Sequence, residues 1–340
     1  HLGRPSGKVV PELSLDPVAF CLEEILDREV MFSDDCISED AIGLSQQMLQ
    51  QEVHLLENLR FHKGETDNDP EFSSYLAEHA DIFINDAFGT SHREHASNVG
   101  VASIASESAI GLLMEKELKY LGETMNAPEE PCVVILGGAK IGDKITLIKN
   151  MMEKADSILI GGAMAFTFLK IQGKNVGSSL IDEDNLNTAE EILRLANNTN
   201  TNIVLPLDAV AGPKLSDDAT WRVASLDELK NNEAGYDIGP ETTMEFEMVL
   251  SNAKTIIWNG PLGVSEIPAF STGTQAIASA VIDQTEDGAI SIIGGGDTAS
   301  ALKQYGLDKG FTHISTGGGA SLQLMSGKQL PALEALKEYA

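Results

Sequence analysis

At 340 residues the chain is long enough for two domains, each with its own core. With 23 basic against 52 acidic residues its formal net charge is −29, so nucleic acid and anionic membranes are poor partners for the surface as a whole. No apolar run is long enough to span a bilayer and no signal peptide opens the chain. Cys21, Cys36 and Cys132 lie far apart without a C-x-x-C spacing. A reduced, cytoplasmic setting is therefore expected, with neither a disulfide frame nor a zinc site.

Taken in order, His1-Leu-Gly-Arg4-Pro5 reads as a loop, with no initiator Met and no element before it. Asp16-Pro17 predicts an N-cap followed by proline at the first helical position, and the helix runs to about Leu26. Residues 30–32 predict a short strand and residues 39–50 a helix. Residues 53–56 form a strand candidate, which ends in Glu57-Asn-Leu-Arg60-Phe61. Asp69-Pro70 opens another helix, to about His79. The strand at 82–85 then runs into Asp86-Ala-Phe-Gly-Thr-Ser91-His92-Arg93-Glu94-His95. Strands alternating with helices imply a parallel sheet.

Residues 102–126 lack breakers apart from Gly111 and Gly122. They read as one long helix joining two domains, and Ala127-Pro-Glu-Glu-Pro131 is the entry to the second. Strands are expected there at 132–136, 158–160, 203–205, 255–258, 289–293 and 312–315. Helices are expected at 187–197, 242–251 and 273–282. Residues 217–239 are polar and loop-like, and 330–340 form a short amphipathic helix.

Four apolar strand candidates run into glycines. Residues 132–136 lead to Gly137-Gly138-Ala139-Lys140, and residues 158–160 to Gly161-Gly162 and a helix through Phe168. Residues 289–293 lead to Gly294-Gly295-Gly296-Asp297-Thr298, and residues 313–316 to Gly317-Gly318-Gly319 and a helix from Ala320. None is a Walker A loop or a dinucleotide fingerprint, which leaves a nicotinamide-dependent dehydrogenase without its signature. Four such junctions in one half of the chain point to the carboxyl edge of a parallel sheet, where ligands of open α/β sheets bind. Glycine lets backbone approach a ligand closely, and a helix N-terminus favours an anion. Asp297 would repel a phosphate unless a cation lay between them, so it points to Mg²⁺ on a nucleotide; an Asp N-cap beside a tight turn is the alternative. Lys140 and Lys144 lie one helical turn apart and suit phosphate contact. Asn259-Gly260-Pro261 marks a tight turn at the same edge.

Half of the arginines sit at Arg4, Arg60 and Arg93, in loops, with His1, His92 and His95 beside them in sequence. In so acidic a chain, such a cluster suggests a site for a small anion, because the guanidinium fork meets carboxylate or phosphate in a bidentate way. A nucleotide on one domain and a small anion on the other suggest phosphoryl transfer across a cleft, by positioning and charge neutralisation. Hinge closure would exclude water.

These motifs are similar to those of the phosphoglycerate kinase family. The resemblance rests on His1-Leu-Gly-Arg-Pro5, Glu57-Asn-Leu-Arg-Phe61, the segment from Phe83 to Arg93, and Gly137-Gly-Ala-Lys-Ile-Gly-Asp-Lys144. It continues in the segment from Trp258 to Glu266, Gly294-Gly-Gly-Asp-Thr298 and Ser315-Thr-Gly-Gly-Gly-Ala-Ser321. They occur in the family's order and cover nearly the whole chain.

The resemblance implies an α/β fold of two Rossmann-like three-layer domains with parallel sheets, joined by a long helix and hinged around a cleft. It implies a substrate domain at 1–110 with 325–340 packed back on it, an interdomain helix at 111–126, and a nucleotide domain at 127–324. It implies reversible, Mg²⁺-dependent phosphorylation of ADP by 1,3-bisphosphoglycerate, giving ATP and 3-phosphoglycerate, in a cytoplasmic monomer. By resemblance, His1, Leu2, Gly3, Arg4, Arg60 and Arg93 bind 3-phosphoglycerate. Gly138, Ala139, Lys144, Gly162, Gly235, Asn259, Pro261, Glu266, Gly295, Gly296, Asp297 and Thr298 bind the nucleotide, with Glu266 on the ribose and Asp297 on the metal. Lys140, Lys144, Gly295 and Gly296 carry the transfer. The family also begins with a strand bearing an Asp and an Asn that bind substrate, and a further Arg, all ahead of the first motif seen here. Without them an exposed core and little transfer are expected, so a nucleotide-binding but catalytically inactive fragment is the alternative.

Overall fold

The computed structural model describes residues 1–216 and 220–336. It divides into two units, one made of residues 1–116 with those from 329 on, the other of residues 117–328. The strands of the first unit are β1 (Val30–Ser33), β2 (Val53–Leu56), β3 (Ile82–Asn85) and β4 (Glu107–Ile110). They form two separate parallel pairs, β1 with β2 and β3 with β4. Phe72, Leu76, Ala96 and Val101 pack with Cys36 into the core of this unit, against Leu56, Leu59 and Phe83.

Two local expectations change here. Asp16 is the first residue of helix Asp16–Leu26 and not its cap, which is Leu15. The free N–H of Leu15 is taken by Glu57 Oε1 at 2.8 Å, so an acid from a distant segment does the capping. Asp69, by contrast, caps helix Pro70–Ala77 through the Phe72 N–H at 2.9 Å. The single helix expected over residues 102–126 is also broken. Its start is helix Val101–Ile104, then β4, which is strand because β3 offers it a ladder of partners. The helix resumes at Leu112–Glu117 and continues as a π-helix over Leu118–Thr124, with the division between the units after Lys116.

A polar chain crosses the first unit. His79 Nε2 lies 2.9 Å from the Cys36 carbonyl, which only accepts, so that nitrogen carries the proton. His79 Nδ1 then accepts from Ser45 Oγ at 2.7 Å. Ser45 in turn accepts from His54 Nδ1 at 2.8 Å, and His54 Nε2 accepts from Ser33 Oγ at 2.8 Å. Both tautomers are fixed by a carbonyl at one end. Short helix Pro331–Ala335 also belongs to this unit, where its Ala332 N–H donates to the Ser91 carbonyl at 3.2 Å. The helix expected over 330–340 is thus shorter, and residues 337–340 lie outside those described.

In the second unit the strands are β5 (Cys132–Leu136), β6 (Ser157–Ile160), β7 (Asn202–Val204), β8 (Asp208–Gly212), β9 (Arg222–Ser225), β10 (Ala234–Ile238), β11 (Thr255–Asn259), β12 (Ile290–Gly294) and β13 (His313–Ile314). Six form a parallel sheet in the order β13-β12-β11-β5-β6-β7. Every residue of β5 and β11 is buried, as helices on both faces of a parallel sheet require. On one face Val133, Ile135, Ile256, Trp258 and Ile293 pack with Phe246, Leu250 and Ile277; each such side chain contributes about 1.5–3 kcal/mol.

Strands β8, β9 and β10 form a separate antiparallel sheet in the order β10-β8-β9. This corrects the loop expected over residues 217–239. β9 and β10 carry Arg222, Ser225, Gly235 and Asp237, whose polarity hides the strands from a pattern reading, while buried β8 binds them by its backbone. Residues 217–219 of that segment lie outside those described.

Asp237, on β10, is 4 % exposed, and it accepts the N–H of Gly273 at 2.8 Å and of Ile238 at 2.9 Å. Burial, partly offset by these two bonds, pushes its carboxyl up to about 7. A raised folded pKa means the native state holds a proton that the unfolded chain has lost. Asp237 therefore makes stability fall as pH rises from about 4 to about 7, and its full contribution is present only below the unfolded value of 3.8. Asp237→Asn is expected to flatten this part of the pH–stability curve. Urea melts of both proteins at pH 5 and pH 7.5 check it: a stability difference independent of pH would refute the assignment.

Candidate functional site

The first unit gathers the arginines. Asn58, fully buried after β2, donates Nδ2–H to the carbonyls of Leu2 at 2.8 Å and Leu13 at 2.9 Å. Arg60 donates to the Gly3 carbonyl at 3.0 Å. Leu2 and Gly3 thus hold the first loop to the turn Leu59–Phe61 through backbone, and Gly3 does so at φ 62°. Arg4, Arg60 and Arg93 come together with Gly7, Lys63 and His95 around a cavity of about 490 Å³. His1 lies exposed at the start of the same loop.

The electrostatics of this cavity are those of an anion site. Arg60 is 8 % exposed, and its pKa is lowered first by burial and then by Arg93, with Arg4 adding to it. Its Nε is buried with no hydrogen-bond partner among the described residues. Crowded, incompletely paired guanidinium groups gain from an anion what they lose to each other. One acid moderates the crowd. Glu65, 2 % exposed, accepts from the Ser97 N–H at 3.0 Å and hydroxyl at 2.7 Å, and lies 3.6 Å from His95 Nδ1. The His95 pKa is nevertheless lowered, first by burial and further by Arg60 and Arg93, against Glu65. Sequence reading missed Glu65, because one acid in a short polar helix carries no signal until its burial is seen.

In the second unit all four glycine junctions follow parallel strands, β5, β6, β12 and β13, so they share the carboxyl edge of one sheet as expected. The sheet order reverses between β5 and β11, which makes the edge above those two strands the switch point where such sheets take ligands. Several of the glycines serve each other there. Gly137 N–H donates to the Asn259 carbonyl at 3.0 Å, Gly138 N–H to Pro261 at 2.9 Å and Gly162 N–H to Leu262 at 2.9 Å. A Cβ on Gly137 would lie 2.0 Å from the Pro261 oxygen, and one on Gly162 would lie 2.5 Å from the Gly138 nitrogen. These three loops are stitched backbone to backbone. Gly295 (φ 92°) and Gly296 are different: Gly296 has open space where its Cβ would be.

Helix Gly296–Gln304 starts in that open space with Gly295 at its N-cap and no side-chain cap. Asp297 is therefore not the cap; its carboxylate is exposed in the first turn. Thr298 is fully buried, and its hydroxyl accepts from the Gly260 N–H at 2.7 Å and donates to the Gly294 carbonyl at 3.0 Å. That hydroxyl is spent on joining two loops, so what Thr298 can offer a ligand is its backbone. Asn259 lies beneath Gly295, its Nδ2 3.2 Å from where a Cβ would stand.

Lys144 closes the same loop cluster. Its Nζ lies 3.3 Å from the Cβ position of Gly138, and its pKa is lowered by burial while Asp143 and Asp297 hold it up. Lys144 and Asp297, far apart in sequence, are thus electrostatic neighbours. Ala139 and Lys140 are exposed just before it. Asp182 fixes this loop by accepting the Ile141 N–H at 3.1 Å and the Gly142 N–H at 3.3 Å, a role with no signal in the sequence. Gly162 and Gly235 line a narrow crevice with Phe166, Tyr236 and Leu262. Gly235 is glycine because a Cβ would stand 2.1 Å from the Phe166 ring. Glu266 is exposed in the loop after β11.

The arrangement has known relatives. A family model described as phosphoglycerate kinase matches residues 1–328. The chain is 50 % identical to a phosphoglycerate kinase of Chlorobium phaeobacteroides (strain BS1), over 99 % of this chain and 85 % of that protein. It is also 50 % identical to one of Thermosipho africanus, over 99 % and 84 %. Among solved structures, the phosphoglycerate kinase of Coxiella burnetii superposes with a TM-score of 0.88 at 39 % identity, over 99 % of this chain and 84 % of that one. That of Pyrococcus horikoshii gives 0.83 at 32 %, over 97 % and 84 %. The likeness runs along 97–99 % of this chain and 84–85 % of each relative, so it takes in both units and not a nucleotide-binding part alone. An α/β chain with a switch-point glycine edge in one unit and a triple-arginine cavity in the other, matched in this way, belongs to the phosphoglycerate kinase family.

Proposed function

We propose that the chain catalyses reversible transfer of the acyl phosphate of 1,3-bisphosphoglycerate to ADP, giving ATP and 3-phosphoglycerate, and that its two sites divide the substrates between them. The observation that carries this reading is the arginine cavity of the first unit, with its buried Arg60 Nε that has no partner among the described residues. Arg4, Arg60 and Arg93 hold the phosphate and carboxylate of 3-phosphoglycerate, and His1, Leu2 and Gly3 form the loop that places them.

The nucleotide lies on the carboxyl edge of the second unit's sheet. By family resemblance Gly162 and Gly235 flank the base and exposed Glu266 holds the ribose; the crevice those two glycines line is only about 10 Å³ and has to widen to admit a base. Gly138, Ala139, Asn259 and Pro261 shape the edge, and Gly295, Gly296 and the Thr298 backbone present N–H groups to phosphate. Lys140 and Lys144 neutralise the group in transfer. Asp297 fits a hard cation, since one exposed carboxylate together with nucleotide phosphates is how Mg²⁺ is usually held. Mg²⁺ bound there would neutralise charge on the phosphates. We place the protein in the cytoplasm without nucleic-acid partners, because it is acidic and its cysteines are free, and as a monomer by its family resemblance. No helix among the described residues is long and apolar enough to cross a membrane.

A coupled assay from ATP and 3-phosphoglycerate tests the reading. Arg93→Met removes a charge whose side chain, among the described residues, makes a long hydrogen bond to His92 at 3.4 Å. It is expected to raise KM for 3-phosphoglycerate about 10–100-fold, the worth of a charged hydrogen bond, with KM for ATP unchanged. Equal effects on both substrates, or none on either, would reject the arginine cavity as the acceptor site.

A further inference from the structure

The structure brings together three potential metal ligands that have no part in the transfer. Asp35 and Cys36 follow β1, and His62 follows the turn Leu59–Phe61. Their ligand atoms, one carboxylate oxygen, one sulfur and one ring nitrogen, all lie within 4.8 Å of one another. We propose that Asp35, Cys36 and His62 form a site for a borderline divalent cation such as Zn²⁺, which clips the loop after β1 to the turn after β2.

The site is built before any cation arrives. Asp35 Oδ1 accepts from the Ile37 N–H at 3.2 Å and is paired with His62 Nε2 at 2.8 Å. The Cys36 carbonyl is tied to His79, and the His62 ring packs at 5.4 Å on Phe72. Ser38, just beyond, caps helix Glu39–Gln46 through the Ala41 N–H at 3.2 Å. The loop is thereby held at both ends, which reduces what ordering it would cost.

The donor set selects the metal. Thiolate and imidazole beside one carboxylate suit Zn²⁺ and its neighbours, and reject Mg²⁺ and Ca²⁺, which want oxygen. Ligands about 2.0–2.3 Å from a tetrahedral metal stand roughly 3–4 Å apart, so the trio needs only small side-chain shifts. The cation would displace the proton that His62 shares with Asp35 and the thiol proton of Cys36. The Asp35 and His62 side chains are 38 % and 31 % exposed, which leaves a way in and room for water as fourth ligand, while Cys36 is 1 % exposed. Asp34, Asp35 and Asp40 line an adjoining cavity, raising the local concentration of cations. The cysteines' wide spacing gave no hint of this, because the ligands come from two segments and include one thiol.

Cobalt tests it on the full chain. Co²⁺ added to the protein is expected to give an intense near-ultraviolet thiolate-to-metal band together with visible tetrahedral bands. The band should be lost in Cys36→Ser and kept in Cys21→Ser. Asp35→Asn should weaken Zn²⁺ at least about 10-fold in competition with a chromophoric chelator, the lower range for loss of even an outer-shell partner. Zn²⁺ should raise the melting temperature of the parent and not that of His62→Gln, a comparison that stands even if Cys36→Ser folds poorly. Absence of the band in the parent, or its survival in Cys36→Ser, overturns the proposal.

Discussion

Asp297→Ala is expected to lower kcat for phosphoryl transfer by at least about 10²–10³-fold, the usual loss when one electrostatic contact to the transition state is removed. Its folding stability should change by less than about 1 kcal/mol. The two halves of this expectation come from the same geometry. Asp297 is exposed in the first turn of helix Gly296–Gln304, and the cap position belongs to Gly295, so removing the carboxylate frees no backbone group. An acid in a first turn gains only about 0.3–1 kcal/mol from the helix dipole. Yet it stands where a nucleotide's phosphates would meet the helix N-terminus, and without a cation it would repel them. Asp297→Asn, which keeps the shape and loses the charge, should fall nearly as far as alanine. Raising the Mg²⁺ concentration should recover part of the activity of either variant. Near-normal kcat in both would remove Asp297 from the metal site; a large loss accompanied by a lower melting temperature would make it a structural residue instead.

Legibility in the sequence followed the range of the interactions. The carboxyl edge of the second unit was readable because a buried parallel strand is a continuous apolar run and each junction ends in glycine. What those glycines do was only half readable. Gly137 and Gly162 are small because neighbouring loops crowd them, whereas Gly296 opens onto free space. Position in sequence cannot separate the two cases. The arginine cluster was visible because arginine is scarce in so acidic a chain. The acid beneath it, Glu65, was one of many and stood out only by its burial. Strands β4, β8, β9 and β10 escaped notice: partner strands hold β4, β9 and β10 against a polar pattern, and the short Ala- and Gly-rich β8 has little strand propensity of its own. The trio of Asp35, Cys36 and His62 depends on β1 pairing with β2, which no local pattern specifies.

The largest stability effect is expected at a pair with no chemistry assigned to it. In the second unit, Glu117 Oε2 lies 2.8 Å from His313 Nε2, and the two side chains are 1 % and 3 % exposed. Glu117 ends helix Leu112–Glu117 and His313 begins β13, so one bond ties the start of this unit to the edge strand of its sheet. The Tyr120 ring stacks on His313 at 5.0 Å and 17°. His313→Ala would leave the carboxylate buried without its partner and should cost about 3–5 kcal/mol, as breaking a buried pair does. Replacing both residues, by Glu117→Leu with His313→Leu, should cost far less, because no polar group is then stranded. The gap between the single and the double variant measures the stranding itself. Tryptophan fluorescence in urea reads it directly, since Trp221 and Trp258 both belong to this unit. If His313→Ala and the double variant unfold at the same urea concentration, the pair supplies packing alone and Glu117 is not held there as a charge. If the single variant unfolds far earlier, the bond is what keeps a carboxylate in an apolar site, and the edge strand depends on it.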